Sequence, residues 1–324
     1  MKLILPSPSS IESSSFTNIN NNSMRILEYS QNSTVESLRE KNYELNFQRR
    51  VNCNLQTPNN CHIINKSLVI SFWGEKSGKK WIALNFLKIF PEKSFDYIIM
   101  IYDNSTWNNH PIYEKAIWIY VKNQIRYWYI KRFLPPYIIQ AYRYIWIVDD
   151  DARFDFNTQA YECVINQFNI LLSAPARLTG PISYLFTRIS PHYTSKIGRW
   201  TDFVETGPLV IANSSAFACL WNYISEKVSL GYGLDLIWCK ILSTQCNFQE
   251  NPVLKTCAIL DTFAVDHDAV EVSTIDFGSA ELPAYNKYYQ NYKTKRQIFG
   301  AIATDSSIFD ICAEKYSTNQ SFIL

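Results

Sequence analysis

The chain has 324 residues, of which 47% are hydrophobic and 15% aromatic, and its formal net charge is +2. That length and apolar content can bury a sizeable core, which excludes a fibrous or wholly disordered chain. The near-balanced charge, with basic residues scattered rather than in blocks, disfavours nucleic acid as a partner.

Residues 1–62 are dominated by Ser and Asn with few clustered apolar positions, so they are expected to form a disordered arm or stem. No window reaches the ~20 apolar residues of a bilayer span, and Pro6 breaks the opening too early for a signal core. The chain therefore reads as soluble. From 63 to 280, short apolar runs alternate with amphipathic segments. Strands are expected over 67–73 (SLVISFW), 95–102, 116–121 and 143–148, and helices around 80–90 and over 123–134. In the last of these, Ile125, Trp128, Tyr129 and Phe133 recur at helical spacing, and Pro135 with Pro136 ends it.

A further helix over 158–172 takes Asn157 as its N-cap and places Tyr161, Val164, Ile165, Phe168 and Leu172 on one face. Beyond it a strand is expected over 203–211, a helix over 215–228, a turn at Gly231 to Gly233, and a helix from Asp235. A strand over 257–265 then runs into Asp266 and His267. Segment 187–202, rich in hydroxyl, basic and aromatic residues, reads as a mobile loop. Residues 281–324 read as an irregular or helical tail. The alternation predicts an α/β sheet in a single domain behind the N-terminal arm.

Eight cysteines contain no C-x-x-C pair, which argues against a zinc knuckle or thioredoxin-like site. In an oxidising compartment Cys53 with Cys61, or Cys246 with Cys257, could close short loops; otherwise these are idle thiols. Asn21, Asn32, Asn65, Asn104, Asn213 and Asn319 stand in N-x-S/T triplets that suit a secretory lumen, although an Asn-rich, Ser-rich chain also generates them by chance.

The most informative segment is YRYIWIVDDDARFDF. An apolar strand core, Ile145 to Val148, runs straight into Asp149, Asp150 and Asp151. Adjacent carboxylates repel one another, so the triplet is tolerable in solvent or beside a cation, and it nominates a metal or metal-diphosphate site. In open parallel sheets ligands bind outside the carboxyl ends of the strands. Asp103 ends another strand in the same way, and Asp266-His267-Asp268 ends a third. One carboxylate, one imidazole and a diphosphate suit Mn²⁺ or Mg²⁺.

The segment IKRFLPPYIIQAYRYIWIVDDDARFDF resembles the Lys-bearing helix, connector and Asp-x-Asp strand of GT-A-type, metal-dependent glycosyltransferases. It is similar in particular to the eukaryotic family known as domain of unknown function 707, and the likeness continues through FVETGPLVI, GYGLDLIWC and AILDTFAVDH. Asp150 departs from the family's usual Glu. The resemblance implies a GT-A-like (Rossmann-type) mixed sheet flanked by helices, and an enzyme moving a sugar from a nucleotide-sugar donor to a glycan, protein or small-molecule acceptor. It makes Asp151 the main metal ligand, with His267 as the late ligand and Asp149 reaching the ribose or the metal. Asp150 is a further donor contact, Lys131 lies near the diphosphate, and Asp103 faces the base. Asp235 is the catalytic base, with Glu205 in reserve. The family likeness also implies a Golgi or secretory lumen, where relatives are often tethered; without a signal or anchor the chain would be cytoplasmic.

Two rivals share these residues. A catalytically inactive descendant would keep the scaffold and bind a glycan or nucleotide. A phosphotransferase would use GEKSGKK at 74–80, but a phosphate loop needs four residues between its first Gly and the Gly-Lys pair, and this segment has three.

Overall fold

The computed structural model describes residues 26–28, 65–122, 124–178, 187–189, 196–224, 231, 233–246, 248, 255–267, 290–302, 310–312 and 314–315. Apart from a short strand β1 (Ile26–Glu28), the expected N-terminal arm lies outside them. The expected apolar runs become β2 (Ser67–Trp73), β3 (Phe95–Ile101), β4 (Ala116–Tyr120) and β5 (Tyr144–Asp149). Between and after them lie helices α1 (Trp81–Ile89), α2 (Arg126–Phe133), α3 (Pro136–Ile139) and α4 (Thr158–Gln167). The second half adds β6 (Ala152–Arg153), β7 (Leu172–Arg177), β8 (Gly198–Thr201) and β9 (Leu209–Asn213), with helices α5 (Ser214–Trp221) and α6 (Trp238–Thr244). Last come β10 (Cys257–His267) and β11 (Ile298–Ile302).

These strands form one mixed sheet in the order β1-β4-β3-β2-β5-β9-β7-β10-β8-β11, with β6 paired to β10. Strands β4, β3, β2 and β5 are mutually parallel, whereas β9 runs antiparallel to both β5 and β7. The chain winds outward from β2 to β4 and then returns to place β5 on the other side of β2. Strand order therefore reverses between β2 and β5, and the crevice at their carboxyl ends is where a doubly wound sheet takes its ligand. The expected Rossmann-type mixed sheet flanked by helices is the architecture observed.

Strand alternation builds two cores. Leu68, Ile70, Ile98, Ile145 and Ile147 face α2, α5 and α6, while Val69, Trp73, Ile99, Trp146 and Val148 face α1 and α4. Each such large side chain fully removed from water contributes about 1.5–3 kcal/mol, so neither face of β2 or β5 tolerates a register slip. Asn157 caps α4 as expected, its Oδ1 accepting from Gln159 N at 2.9 Å and Ala160 N at 3.0 Å.

Four expectations change. The helix expected to reach 172 ends at Gln167, and Leu172 opens β7, a strand disguised by Pro175. That proline sits opposite Leu260, where the β7/β10 register shifts, the kind of irregularity at which a strand accommodates proline. The strand expected over 203–211 forms only from Leu209. Part of the expected mobile loop, Gly198–Thr201, is β8, buried between β10 and β11; residues 190–195 lie outside the described set. Within the expected tail, Ile298–Ile302 joins the sheet.

Cysteine pairing is also corrected. Cys246 bonds Cys219 and Cys257 bonds Cys239, while Cys163 bonds Cys312; Cys53 and Cys61 lie outside the described residues. Among the described residues no cysteine is free. No described helix is long and apolar enough to cross a membrane.

Candidate functional site

At the end of β5 the backbone stays in register through Asp149, whose N–H donates to Pro208 O at 2.8 Å, and then turns. The turn fans the three carboxylates toward different elements. Each meets its own basic partner, so the repulsion inherent in the triplet is offset within the protein.

Asp149 accepts from Arg126, Nη1 to Oδ2 at 2.5 Å, and the same Nη1 donates to Thr206 O at 3.3 Å. Gly207 packs directly against this pair, so a side chain there would force it to shift. A Cβ there would lie 2.1 Å from Arg126 Nη1 and 2.5 Å from Asp149 Oδ2. Burial pushes the Asp149 carboxyl up to about 6, against the pull of Arg126 in the opposite direction.

Asp150 is spent on the segment after β2. Lys80 Nζ lies 2.8 Å from its Oδ1, Tyr102 OH donates to Oδ2 at 3.1 Å, and the Ser77 hydroxyl donates to Oδ2 as well. Gly74 N in turn donates to Ser77 Oγ at 2.8 Å, closing the turn Glu75–Lys79. Asp103 fastens the same turn, accepting from Glu75 N at 2.6 Å and Ser105 N at 2.8 Å. Segment 74–80 is thus held by carboxylates, with Ser77 and Lys80 committed to Asp150. Asp150, expected as a donor contact, thus faces segment 74–80.

Asp151 and His267 meet because β6 pairs with the end of β10, which sets Ala152 opposite His267. His267 Nε2 donates to Asp151 Oδ2 at 3.0 Å, and Arg177 Nη2 donates to the other ring nitrogen, Nδ1, at 3.1 Å. The buried Arg177 also reaches Glu205 Oε2 at 3.2 Å and Gly207 O at 3.3 Å, while Thr187 Oγ1 donates to Glu205 Oε1 at 2.6 Å. A line of polar contacts therefore runs Thr187, Glu205, Arg177, His267, Asp151. Burial raises the Asp151 carboxyl, but the hydrogen bond from His267, with Lys80 and Arg126 nearby, holds it below its ordinary value.

Whether these residues suit a divalent cation follows from two observations. Oδ1 of Asp151 is buried with no hydrogen-bond partner, an unsatisfied anionic atom of the kind a cation satisfies. Ligands about 2.1 Å from a six-coordinate ion lie about 3 Å from their neighbours, which is the separation between Asp151 Oδ2 and His267 Nε2. Nε2 ligates only through its lone pair, so an ion held by this pair would move the His267 proton to Nδ1 and displace Arg177 from that nitrogen; with that shift the spacing fits Mn²⁺ or Mg²⁺ completed by phosphate oxygens and water. Among the described residues there is no cluster of three His, Cys, Asp or Glu ligands, and the Asp149 oxygen nearest Arg126 is occupied by that arginine. Of the ligand set that the resemblance implies, the structure brings Asp151 and His267 together and turns Asp149 toward Arg126.

Asp235 is buried in the turn before α6, where its Oδ1 accepts from Gly233 N at 3.2 Å. It is not the cap of that helix, whose N-cap is Ile237 with no side-chain bond. Burial pushes its carboxyl up to about 7; Gly233 N–H opposes the shift and Glu205 reinforces it. The preceding glycine is required, since Gly231 has φ +116 and a Cβ there would lie 2.7 Å from Thr206 Oγ1.

Lys131 packs against Trp221. Its Nζ donates to Trp221 O at 3.0 Å and lies 3.6 Å from the Trp221 ring, which is where the structure places the residue expected near the diphosphate. Arg126, earlier on the same helix, occupies the carboxylate cluster instead. Sequence reasoning missed Arg126 and Arg177. Arg126 lies outside the KRFL block that drew attention to Lys131, and Arg177 closes the strand hidden by Pro175.

Comparison with known proteins places these features in context. No curated protein matches the chain. Among solved structures, residues 1–349 of Staphylococcus aureus TarS are 13% identical with TM-score 0.39, covering 62% of this chain and 60% of that one. The mannosyltransferase PcManGT from Pyrobaculum calidifontis, in complex with GDP-Man and Mn²⁺, is 10% identical with TM-score 0.42, covering 74% and 68%. A mycobacterial protein is 8% identical with TM-score 0.41, covering 74% and 85%. The chain thus spans about three-fifths of the TarS fragment it matches. The profile of DUF707, a protein family of unknown function, matches residues 30–299. The chain belongs to the DUF707 family.

Proposed function

We propose that this protein transfers a sugar from a nucleotide-sugar donor to a hydroxyl of a glycan, protein or small-molecule acceptor. The observation that carries the reading is the Asp151–His267 pair at the point where strand order reverses, with one Asp151 oxygen unsatisfied. The donor lies across the carboxyl ends of β2 and β5, with Asp103 toward the base and Asp149 toward the ribose. Arg126, anchored on Asp149, stands beside the diphosphate in the role that the family resemblance implies for Lys131. A divalent cation, Mn²⁺ or Mg²⁺, held by Asp151 and His267, would supply positive charge to the departing diphosphate.

The proton of the acceptor hydroxyl goes to Asp235. A carboxyl pushed up to about 7 is a stronger base than an ordinary one and still ionises near neutrality. As the bond from C1 to the diphosphate oxygen breaks, the acceptor oxygen bonds C1 and its proton passes to Asp235. Glu205 is the weaker candidate because both of its oxygens are already engaged, by Arg177 and Thr187.

The phosphotransferase rival would rest on Lys79, which is exposed after Gly78, in a segment whose spacing departs from a phosphate loop and whose Ser77 and Lys80 are bonded to Asp150. The test is a thermal-shift screen of nucleotide-sugars with and without Mn²⁺, since a ligand that binds only the folded chain raises its melting point. At least one nucleotide-sugar should stabilise the wild type in a cation-enhanced manner and fail to stabilise Asp151→Ala. Stabilisation by nucleoside triphosphates alone, abolished by Lys79→Ala, would favour the rival.

A further inference from the structure

Six N-x-S/T triplets occur in the sequence, and the fold separates the three that lie among its described residues. Asn65 is exposed in the bend that precedes β2, at the end of the sheet opposite the carboxylate crevice. Asn104 is exposed in the bend after β3, and the hydroxyl residue of its triplet, Thr106, is exposed too. Neither asparagine side chain hydrogen-bonds within the described residues; Asn104 is open in the folded chain, whereas the hydroxyl residue of the Asn65 triplet, Ser67, is buried at the start of β2, so Asn65 must be modified before that strand docks. The neighbouring Asp103 turns its carboxylate onto Glu75 N and Ser105 N, which leaves Asn104 as the outward residue of that bend.

Asn213 differs from both. It ends β9 and caps α5, its Oδ1 accepting from Ser215 N at 3.0 Å and Ala216 N at 3.3 Å. It is half-buried, and its backbone N–H is bonded to Leu171 O at 2.8 Å. A glycan there would stand against the helix start it holds, at a cap that contributes roughly 1 kcal/mol.

The second, independent observation is the set of disulfides Cys163–Cys312, Cys219–Cys246 and Cys239–Cys257. They staple α4 to residue 312, α5 to the end of α6, and α6 to β10. Bonds of this kind form and persist in oxidising compartments and are rare where glutathione keeps thiols reduced. In eukaryotes the compartment that oxidises thiols is also the one that glycosylates asparagine.

We propose that the protein matures in an oxidising lumen and carries N-linked glycans at Asn65 and Asn104, but not at Asn213. The donor is a lipid-diphosphate-linked oligosaccharide supplied by the cell. The asparagine Nδ2 bonds C1 of the sugar and loses one proton, while the bond from C1 to the diphosphate breaks and the lipid diphosphate leaves. The inference is independent of the transferase reading, because it concerns where the chain is made and what is attached to it.

The test is peptide mapping of the full chain isolated from its own cells, with free thiols alkylated first and N-glycans released enzymatically in heavy-oxygen water. The expected result is labelled aspartate at positions 65 and 104, unmodified Asn213, and disulfide-linked peptides for the three bridges. Asn65→Gln and Asn104→Gln should each remove one glycan's mobility shift. Unmodified Asn65 or Asn104, an occupied Asn213, or alkylated thiols at these six cysteines would overturn the proposal.

Discussion

Arg126 and Asp149 form an ion pair that spans from the first turn of α2 to the last residue of β5, and it fills the space that a Cβ at residue 207 would occupy. Gly207→Ala must displace one partner or the backbone between them. It should lower stability by about 1–3 kcal/mol, read as a fall in melting temperature, and weaken nucleotide-sugar binding together with it.

Arg126 and Lys131 share one helix and should differ in their effect on donor KM. Arg126→Ala is expected to raise KM for the donor and also to lower stability, because it leaves the buried Asp149 carboxylate without its partner. Lys131→Ala removes the buried contact with Trp221 and should destabilise the fold by about 1–3 kcal/mol while leaving donor KM unchanged. Paired thermal melts and donor titrations separate the two effects.

Asp235 gives the protein a pH signature. Its carboxyl, at about 7 in the folded chain, lies above the ordinary 3.8, so between those values the folded state holds a proton that the unfolded state has released. This group's contribution to stability therefore falls as pH rises from about 4 to about 7, and Asp235→Asn should remove that slope from denaturant melts. Activity should move the other way. kcat/KM should rise with pH and level off above about 7, because the base works when deprotonated.

Asp150→Asn weakens the hold on segment 74–80, where Lys80 is paired with the carboxylate. Limited proteolysis should cut this segment faster in Asp150→Asn and in Lys80→Ala than in the wild type. Lys79→Ala, an exposed change, should leave the cutting rate as it was.

Much of this architecture was legible in the sequence. SLVISFW, apolar but for Ser67 and Ser71, and YIWIV are nearly continuous apolar runs because both faces of β2 and β5 are covered by helices, and such runs announce buried parallel strands. Asn157 was readable as a cap because its chemistry is local. The strands that escaped notice lack that signal: β7 contains Pro175, and β8 is four residues long. In the site, Asp151 and His267 were legible as strand-end residues, and the pairing of β6 with β10 brings them together. Their cationic neighbours were not. Which arginine reaches a carboxylate depends on the direction of long side chains across the sheet, and that is fixed by tertiary packing rather than by spacing along the chain.

The measurement closest to the central claim is donor turnover by wild type and Asp151→Ala over a panel of nucleotide-sugars, with and without Mn²⁺, after circular dichroism has shown both proteins folded. The account predicts cation-stimulated release of nucleoside diphosphate from one donor by the wild type, reduced on the order of 100-fold or more in Asp151→Ala. Equal turnover by the two proteins, or tight donor binding without turnover by the wild type, would contradict it.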